Sequence, residues 1–274
     1  MIVFHTDLDN TIIYSYKHDI GTRKRNVELY QGREISYITE ETYRLLQQVK
    51  NDMLIVPTTT RTLEQYQRID LGIGQFPYAL VCNGGVLLAD GMRDEAWYQD
   101  SLHLVSDSVD EMNLAMELLE KDPRRKFELR YIEKLFIFTK CDAPEMVIKD
   151  LKKALDEKCV DIFSNGEKVY VVPKILNKGT ALERFREKVR PEIVIAAGDS
   201  AFDIPMVLAA DYGLVPSGFL QKNRIRKISG IWGNDRKQKK IDEMHPQKIF
   251  SDALLEQVLK IKTESVAAGV IHRG

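Results

Sequence analysis

The sequence predicts an α/β protein in which a parallel sheet is interrupted by an inserted α+β module. Two observations carry this prediction. Short stretches that are apolar on both faces alternate with helical patterns near both ends of the chain, which is typical of a buried parallel sheet. Between about residues 101 and 173, the order changes to helix, strand, strand, and this unit occurs twice. A duplicated αββ unit is expected to form an antiparallel sheet with helices on one face.

The first part of the chain combines three strand patterns with one helix. The predicted strands cover residues 1–6, 52–60 and 78–85. A helical pattern at 39–51 separates the first two, with Thr39 as a suitable N-cap. The connection at 14–38 is long for a segment that leads into a helix. Functional loops are often this long, so the connection is predicted to form a lid or flap, with a disordered segment as the alternative.

The middle of the chain carries the repeated αββ pattern. Its predicted elements are helices at 109–122 and 144–158 and strands at 126–133, 134–140, 159–164 and 168–174. The last two strands are joined by an Asn-Gly turn, the strongest short signal for a hairpin. We therefore predict a discontinuous core of residues 1–85 and 174–274, with residues 86–173 as the inserted module.

The first pattern returns after the insertion. The predicted elements are a helix at 177–189, a strand at 192–199, a helix at 201–210 and a strand at 212–216. The tail, 219–274, is harder to interpret. Its basic run at 236–240 is expected to be solvated surface rather than a binding patch, because so short a run usually is. Its helical pattern at 251–262 is a candidate partner surface.

Composition and charge restrict the function. The chain has 274 residues, 44% of them hydrophobic, and a formal net charge of -1. No overall field would attract nucleic acid or an anionic membrane, so we expect neither as a partner. Three cysteines without paired spacing argue against a disulfide framework and a thiolate zinc site. The start lacks the features of a signal peptide, and no apolar stretch could cross a bilayer, so we expect a cytoplasmic protein.

Polar residues cluster where predicted strands end. Asp7 and Asp9 follow the first strand, 58–61 (TTTR) follow the second, Lys178 opens the helix after the insertion, and 198–203 (GDSAFD) follow a later strand. Ligands bind at the carboxyl ends of strands in open parallel sheets. Each cluster alone could be a turn, a cap or a surface residue. Their joint placement predicts one magnesium and phosphate site.

These motifs resemble those of the haloacid dehalogenase superfamily of aspartyl phosphatases. DLDNT at 7–11 looks like the DxDx(T/V) signature, TTR at 59–61 like the second motif, Lys178 like the third and GDSAFD like the fourth. CNGG at 82–85 is similar to the turn before the cap in the branch with a large inserted cap, which includes Cof-like phosphatases, sucrose-phosphate phosphatase and phosphomannomutase. The resemblance covers about residues 1–216 and implies a Rossmann-like parallel core with an αββαββ cap that governs substrate specificity.

The resemblance also implies a mechanism and a set of site residues. Asp7 would be the nucleophile, and Asp9 the general acid and base. Lys178 would offset negative charge, and Thr59 would donate a hydrogen bond to the phosphoryl group. Mg²⁺ would be held by Asp7, the backbone carbonyl of Asp9, and Asp199, with Asp203 as a ligand or as a partner of Lys178. Residues implied to contact the substrate or its phosphate are Thr60, Arg61, Asn83 and Gly84.

Two departures from the family pattern affect these assignments, and His5 beside the first motif needs an interpretation of its own. Thr60 replaces a usual Gly, which leaves Thr58, Thr59 or Thr60 as the phosphate donor; we favour Thr59 because it lies two residues before Arg61. Phe202 replaces a usual Asn in the outer metal shell. His5 is interpreted as a hydrogen-bonded core residue rather than a catalyst.

The resulting prediction is a Mg²⁺-dependent phosphomonoester hydrolase of a small phosphorylated metabolite, with a sugar phosphate favoured. A phosphomutase is the alternative within enzymes. The rivals of other classes are a response-regulator-like switch phosphorylated on Asp7 and a catalytically silent phosphate-binding module. Candidates for cap residues that bind an anionic or sugar group, all cationic and all open to the simpler interpretation of solvated charges, are Arg124, Arg125, Arg130, Lys134 and Lys168.

Overall fold

The computed structural model of the protein describes residues 1–225, 229–231 and 238–269. The chain forms two compact units: Met1–Met92 together with Lys178–Gly274, and Arg93–Asn177. The second unit begins later and ends later than the predicted insertion at 86–173. The cause at its start is that Val86–Ala89 pairs with Tyr78–Val81 as an antiparallel hairpin and so stays with the first unit.

The strands and helices follow the predicted order, with some additions. The strands are β1 Ile2–Thr6, β2 Tyr14–Ser15, β3 Lys24–Tyr30, β4 Arg33–Thr39, β5 Leu54–Pro57, β6 Tyr78–Val81, β7 Val86–Ala89, β8 Met92–Arg93, β9 Arg130–Ile132, β10 Phe136–Lys140, β11 Val160–Asn165, β12 Lys168–Pro173, β13 Ile193–Ala197, β14 Tyr212–Val215, β15 Ser229–Ile231 and β16 Gln238–Glu243. The helices are α1 Glu40–Asp52, α2 Leu63–Gln67, α3 Glu95–Leu104, α4 Val109–Glu120, α5 Pro144–Ala154, α6 Lys178–Val189, α7 Ile204–Ala209, α8 Phe219–Lys222 and α9 Phe250–Ala267.

The core of the first unit is a sheet with the strand order β15-β16-β14-β13-β1-β5. The pairings from β16 through β14, β13 and β1 to β5 are parallel, and β15 is antiparallel to β16. β1 lies between β13 and β5 and is buried along its whole length, which fits its apolar sequence. In its register Thr6 lies opposite Ala197 of β13 and Pro57 of β5, so these three strands end at the same edge of the sheet.

Helices α1 and α9 pack against one another beside this sheet. Thr39 caps α1 as predicted, because its hydroxyl accepts the amide hydrogen of Thr42. Apolar residues of α9, including Leu254 and Val258, lie in the same core cluster as Leu46 of α1. The apolar face of α9, predicted as a candidate partner surface, is therefore covered by the core of its own unit.

The long connection at 14–38 is folded. It forms an antiparallel sheet in the order β2-β4-β3, so the predicted alternative of a disordered segment is wrong for this region. The register of β3 against β4 shifts around Glu28, which is a β-bulge. Sequence patterns missed these strands because the bulge and the many charged residues obscure the period of two.

The second unit contains the antiparallel sheet β11-β12-β10-β9. The pattern of two helix-strand-strand units is present as α4-β9-β10 and α5-β11-β12, preceded by the additional helix α3. Apolar residues of α4 and α5 share one core cluster with one face of this sheet, through Ile137 and Val171 among others. This arrangement confirms the α/β fold with an inserted α+β module.

Other predictions from the sequence concern the tail, the cysteines and membranes. Residues 236 and 237 of the basic run lie outside the described residues, and Gln238–Lys240 belong to β16. The three cysteines form no disulfide with one another. No helix in the described part of the chain has both the length and the apolar character that a membrane crossing requires.

Candidate active site

Asp7 lies directly after β1, at the edge where the parallel strands end. Its backbone amide donates to the carbonyl of Ala197 at 2.9 Å, which continues the pairing of β1 with β13 past the strand. Its side chain is 8% exposed. Asp7 is therefore held rigidly by the sheet, with its carboxylate at a sheltered position.

Lys178 lies between two carboxylates. Its ammonium group is 2.5 Å from an oxygen of Asp7 and 2.5 Å from an oxygen of Asp203. Lys178 is 1% exposed and opens α6, so the helix begins at the site. Burial alone would lower the pKa of this lysine, but the carboxylates of Asp203 and Asp7 outweigh burial and raise it. Lys178 is thus a fixed positive charge.

Asp203 is held from both sides. One of its oxygens accepts from Lys178, and the other accepts from the backbone amide and the hydroxyl of Ser200, at 2.9 and 2.7 Å. Of the two roles predicted for Asp203, orientation of Lys178 matches these contacts directly. Gly198 makes this packing possible, since a Cβ at that position would lie 2.2 Å from Cβ of Asp203.

Asp199 completes a group of three carboxylates. One oxygen each from Asp7, Asp199 and Asp203 lie within 4.8 Å of one another. Burial, with a smaller contribution from Asp203, raises the pKa of Asp199 to about 6. Burial also raises the pKa of Asp7 well above its usual value, although Lys178 opposes this, and the other two carboxylates contribute. Crowded carboxylates of this kind favour a cation among them.

Thr11 connects two members of this group. Its hydroxyl lies 3.4 Å from a carboxylate oxygen of Asp7 and 3.3 Å from one of Asp199. Thr11 is fully buried, and these contacts steady the loop after β1. The hydroxyl has one hydrogen, which it can donate to either carboxylate. Thr11 can therefore keep a hydrogen bond if the two carboxylates shift slightly.

The segment Thr58–Arg61 is fixed by the turn that follows β6. The amide of Thr59 donates to the carbonyl of Leu80, while the amide of Asn83 donates back to the carbonyl of Thr59. Cys82, Asn83 and Gly84 all have positive φ, which explains why the turn contains Asn and Gly. The turn thus holds the second motif in place; substrate contacts of Asn83 and Gly84 remain predictions.

The three threonines of this segment differ in their surroundings. The hydroxyl of Thr58 pairs with Nδ1 of His5 at 3.0 Å and lies 3.1 Å from the carbonyl of Val56. The hydroxyl oxygen of Thr59 accepts the amide of Arg61 at 3.2 Å, which leaves its hydrogen for another acceptor. Thr60 is only half-buried. These contacts are consistent with Thr59 as the phosphate donor.

His5 is a core residue, as the sequence predicts. Besides Thr58, its ring meets Phe185 edge to face at 5.4 Å. Burial, assisted by the positive charge of Arg186, lowers the pKa of His5 to about 3. The ring is therefore neutral over the usual pH range.

The side chain of Asp9 binds Arg61 and does not belong to the carboxylate cluster described above. Nε and Nη2 of Arg61 donate to its two oxygens at 2.7 and 2.8 Å. The other edge of Arg61 binds Glu28, which the sequence analysis missed. A lone acid in the strand pattern NVELY was the only available signal, and surface acids look the same. Arg61 thus contacts two carboxylates in this structure. Its predicted contact with phosphate would require it to release one of these carboxylates.

Three of the cationic candidates in the second unit hold local ion pairs. Arg124 binds Asp122 at 2.7 Å and Asp150 at 3.1 Å. Arg125 binds Glu120, and Arg130 binds Glu128. These pairs favour the simpler interpretation of solvated surface charges for the three arginines.

Comparison with known proteins finds one matching family model. The family model described as haloacid dehalogenase-like hydrolase matches residues 91–215, a range that contains Lys178, Asp199 and Asp203. A search of curated proteins gives no significant match.

Several solved structures share the fold. The sucrose-phosphatase of Synechocystis, solved with sucrose and phosphate, has 17% identity and a TM-score of 0.59, over 95% of this chain and 97% of that chain. A protein of Thermoplasma acidophilum has 14% identity and a TM-score of 0.57, over 96% and 98%. A phosphatase of this superfamily from Bacteroides thetaiotaomicron has 15% identity and a TM-score of 0.52, over 99% and 96%.

At such low identity these structures establish the fold alone, and the family model adds the sequence evidence. The family model and the shared fold agree with the resemblance drawn from the four motifs: residues 91–215 are similar to haloacid dehalogenase-like hydrolases.

Proposed function

We propose that this protein is a Mg²⁺-dependent phosphomonoester hydrolase that works through an aspartyl-phosphate. The observation that carries the proposal is the buried ammonium group of Lys178 between Asp7 and Asp203, with Asp199 in the same carboxylate cluster. A charge-neutralising lysine beside a strand-end aspartate suits phosphoryl transfer, where catalysis consists mostly of positioning and electrostatic stabilisation.

The carboxylate cluster fits a divalent cation. Its donors are hard oxygens, which Mg²⁺ prefers. Burial, with smaller contributions from the neighbouring carboxylates, raises the pKa values of Asp7 and Asp199, and a cation among them would offset this cost of ionisation. Asp7 and Asp199, with the backbone carbonyl of Asp9, would hold the ion. Asp203 is already bound to Lys178 and Ser200, so its proposed role is to orient the lysine. The bound ion would supply Lewis-acid stabilisation of the phosphate.

The proposed reaction has two steps. In the first, a carboxylate oxygen of Asp7 forms a bond to phosphorus, the bond to the leaving oxygen breaks, and Asp9 gives its proton to that oxygen. In the second, water attacks phosphorus, Asp9 accepts its proton, and the bond to Asp7 breaks to release phosphate. Lys178 and Thr59 would stabilise the charge on the phosphoryl oxygens.

The proposed substrate is a small phosphorylated metabolite of the cytoplasm, with a sugar phosphate favoured. The support is the fold, which the sucrose-phosphatase of Synechocystis shares. The resemblance implies that the inserted unit, Arg93–Asn177, governs substrate specificity. The contact residues in that unit remain to be found, since Arg124, Arg125 and Arg130 already have acidic partners.

A magnesium-dependent release assay tests the proposal. Phosphate release from p-nitrophenyl phosphate and a panel of sugar phosphates should require Mg²⁺ and stop with EDTA. Asp7→Asn should reduce turnover by at least about 10³-fold, because the nucleophile is lost. Asp211→Asn is the matched control, since Asp211 is also buried but binds Val194 and Arg186 outside the cluster.

The outcomes separate the proposal from its rivals. Transfer of phosphate between positions of one sugar, without release, would indicate a phosphomutase. Stable phosphorylation of Asp7 by a small phosphodonor without turnover would indicate a switch. Phosphate binding with no release from any ester would indicate a silent binding module. Full activity of Asp7→Asn would overturn the assignment of the nucleophile.

A further inference from the structure

Glu28 is a fully buried carboxylate outside the cluster of Asp7, Asp199 and Asp203. It lies on β3, and its side chain has 0% exposure. The preceding residue, Val27, is also buried, in the hydrophobic core. Consecutive residues of a strand point to opposite faces, so β3 is covered on both faces at this point. The register of β3 against β4 also shifts at Glu28.

The neighbours of Glu28 keep it ionised. Arg61 donates to its two oxygens at 2.8 and 2.9 Å, the Ser36 hydroxyl donates at 2.6 Å, and Arg68 donates at 3.3 Å. Burial would raise the pKa of Glu28, but these hydrogen bonds and the positive charge of Arg61 outweigh burial and lower it. A buried, ionised carboxylate with this many donors is a rigid anchor.

Arg61 transmits this anchoring to Asp9. One edge of its guanidinium binds Glu28, the adjacent edge binds both oxygens of Asp9, and Nη1 also donates to the carbonyl of Gln65. These contacts use every N–H group of the guanidinium. The group is planar, so fixing one edge fixes the direction of the other. Arg61 is only 12% exposed, whereas Asp9, at 50%, is the accessible end of this chain of contacts.

We propose that Glu28 is a positioning residue that acts through Arg61 to hold Asp9 where it can pass its proton to the leaving group. This inference rests on the proposed hydrolase function and on the role of Asp9 within it. The sheet of β2, β4 and β3 thereby contributes to catalysis without a residue that touches the substrate.

Two aryl phosphates of nearly equal size test the proposal. p-Nitrophenolate leaves readily without a proton, whereas phenolate leaves poorly and gains more from a proton donor. In Glu28→Gln, kcat/KM should fall about 10- to 100-fold for phenyl phosphate and less than about 3-fold for p-nitrophenyl phosphate, within the range of general acid catalysis. This parameter reports the first chemical step, in which the ester bond breaks, so a slow second step does not hide the effect.

Two further variants define the path of the effect. Arg61→Lys should show the same selective loss, because a single ammonium group cannot bind both carboxylates with two parallel hydrogen bonds. Glu40→Gln is the matched control. It removes the ion pair between Glu40 and Arg25, which lies on the same strand as Glu28 but away from Asp9, and it should leave kcat/KM for both esters unchanged. Thermal unfolding checks that each variant is folded. If Glu28→Gln does not fold, Ser36→Ala tests the proposal instead. It should lower kcat/KM for phenyl phosphate more than for p-nitrophenyl phosphate, by a smaller factor than the one expected for Glu28→Gln.

The outcomes distinguish this proposal from the proposed function. Equal losses for the two esters, or no loss for either, would overturn the positioning role of Glu28 while the hydrolase function stands. If the wild-type protein releases phosphate from neither ester nor from the sugar phosphates, the proposed function fails, and the role of Glu28 fails with it.

Discussion

Two groups in the first unit have the same composition, a cation held between two carboxylates, yet they differ in burial and in origin. Lys178 lies between Asp7 and Asp203, and all three side chains are at most 8% exposed. Arg61 lies between Glu28 and Asp9, and the Asp9 end is half exposed. The first group combines strand-end motif residues, while the second depends on a residue of a bulged strand. In the proposed mechanism, the buried group provides the fixed positive charge of the site, and Asp9 of the more exposed group provides the proton.

Loss of Lys178 should have the largest effect. Lys178→Met leaves Asp7 and Asp203 facing one another without a cation, and breaking a buried ion pair in this way destabilises a protein by about 3–5 kcal/mol. Chemical denaturation measures the change. Lys262→Met is the matched control, because Lys262 pairs with Asp52 at partly exposed positions and should alter stability only slightly. Equal effects of the two substitutions would contradict the special role of the buried group.

Gly198→Ala should disturb the same group without removing a charge. The added Cβ would lie 2.2 Å from Cβ of Asp203, so Asp203 must move away from Lys178. We expect a loss of about 1–3 kcal/mol in stability, as for other overpacked sites, together with lower phosphatase activity. Gly166→Ala is a useful comparison, since a Cβ there meets no atom within 4 Å and only the backbone strain of its positive φ remains. Normal activity in Gly198→Ala would show that the position of Asp203 is unimportant.

His5 tests what a buried ionisable group does when it lacks an opposite charge. Its pKa is about 3 in the folded protein and about 6.5 in an unfolded chain. Between these values the unfolded chain holds one more proton, so stability rises with pH and is lost as pH falls below 6.5. The loss amounts to about 2 kcal/mol at pH 5 relative to pH 7. His5→Gln should remove this part of the pH dependence, as measured by denaturation at both pH values; an unchanged pH dependence would contradict the assignment.

Ser36→Ala should have the smallest effect. It removes one hydrogen bond to Glu28 but keeps those from Arg61 and Arg68. A loss of about 1 kcal/mol in stability is expected, since the carboxylate retains other donors. Thermal unfolding measures it. A loss of stability as large as that of Lys178→Met would mean that the stability of the protein depends on the group around Glu28 as strongly as on the group around Lys178.

The sequence by itself determined the α/β order, the inserted αββαββ unit and the four motif positions. These follow from local patterns: apolar strands that end in polar residues, helical periodicity, an Asn-Gly hairpin and the glycine-rich turn at 82–85. The convergence of Asp7, Lys178, Asp199 and Asp203 could also be predicted, because the carboxyl ends of parallel strands meet at one edge of the sheet.

Only the tertiary structure decided which carboxylate each cation binds. Lys178 could have faced solvent, and Arg61 could have faced a phosphate; their partners depend on distances between segments far apart along the chain. Glu28 is the clearest case. The register of β3 against β4 shifts at Glu28, and the register of such a charged strand is set by the surface it packs against rather than by its own sequence.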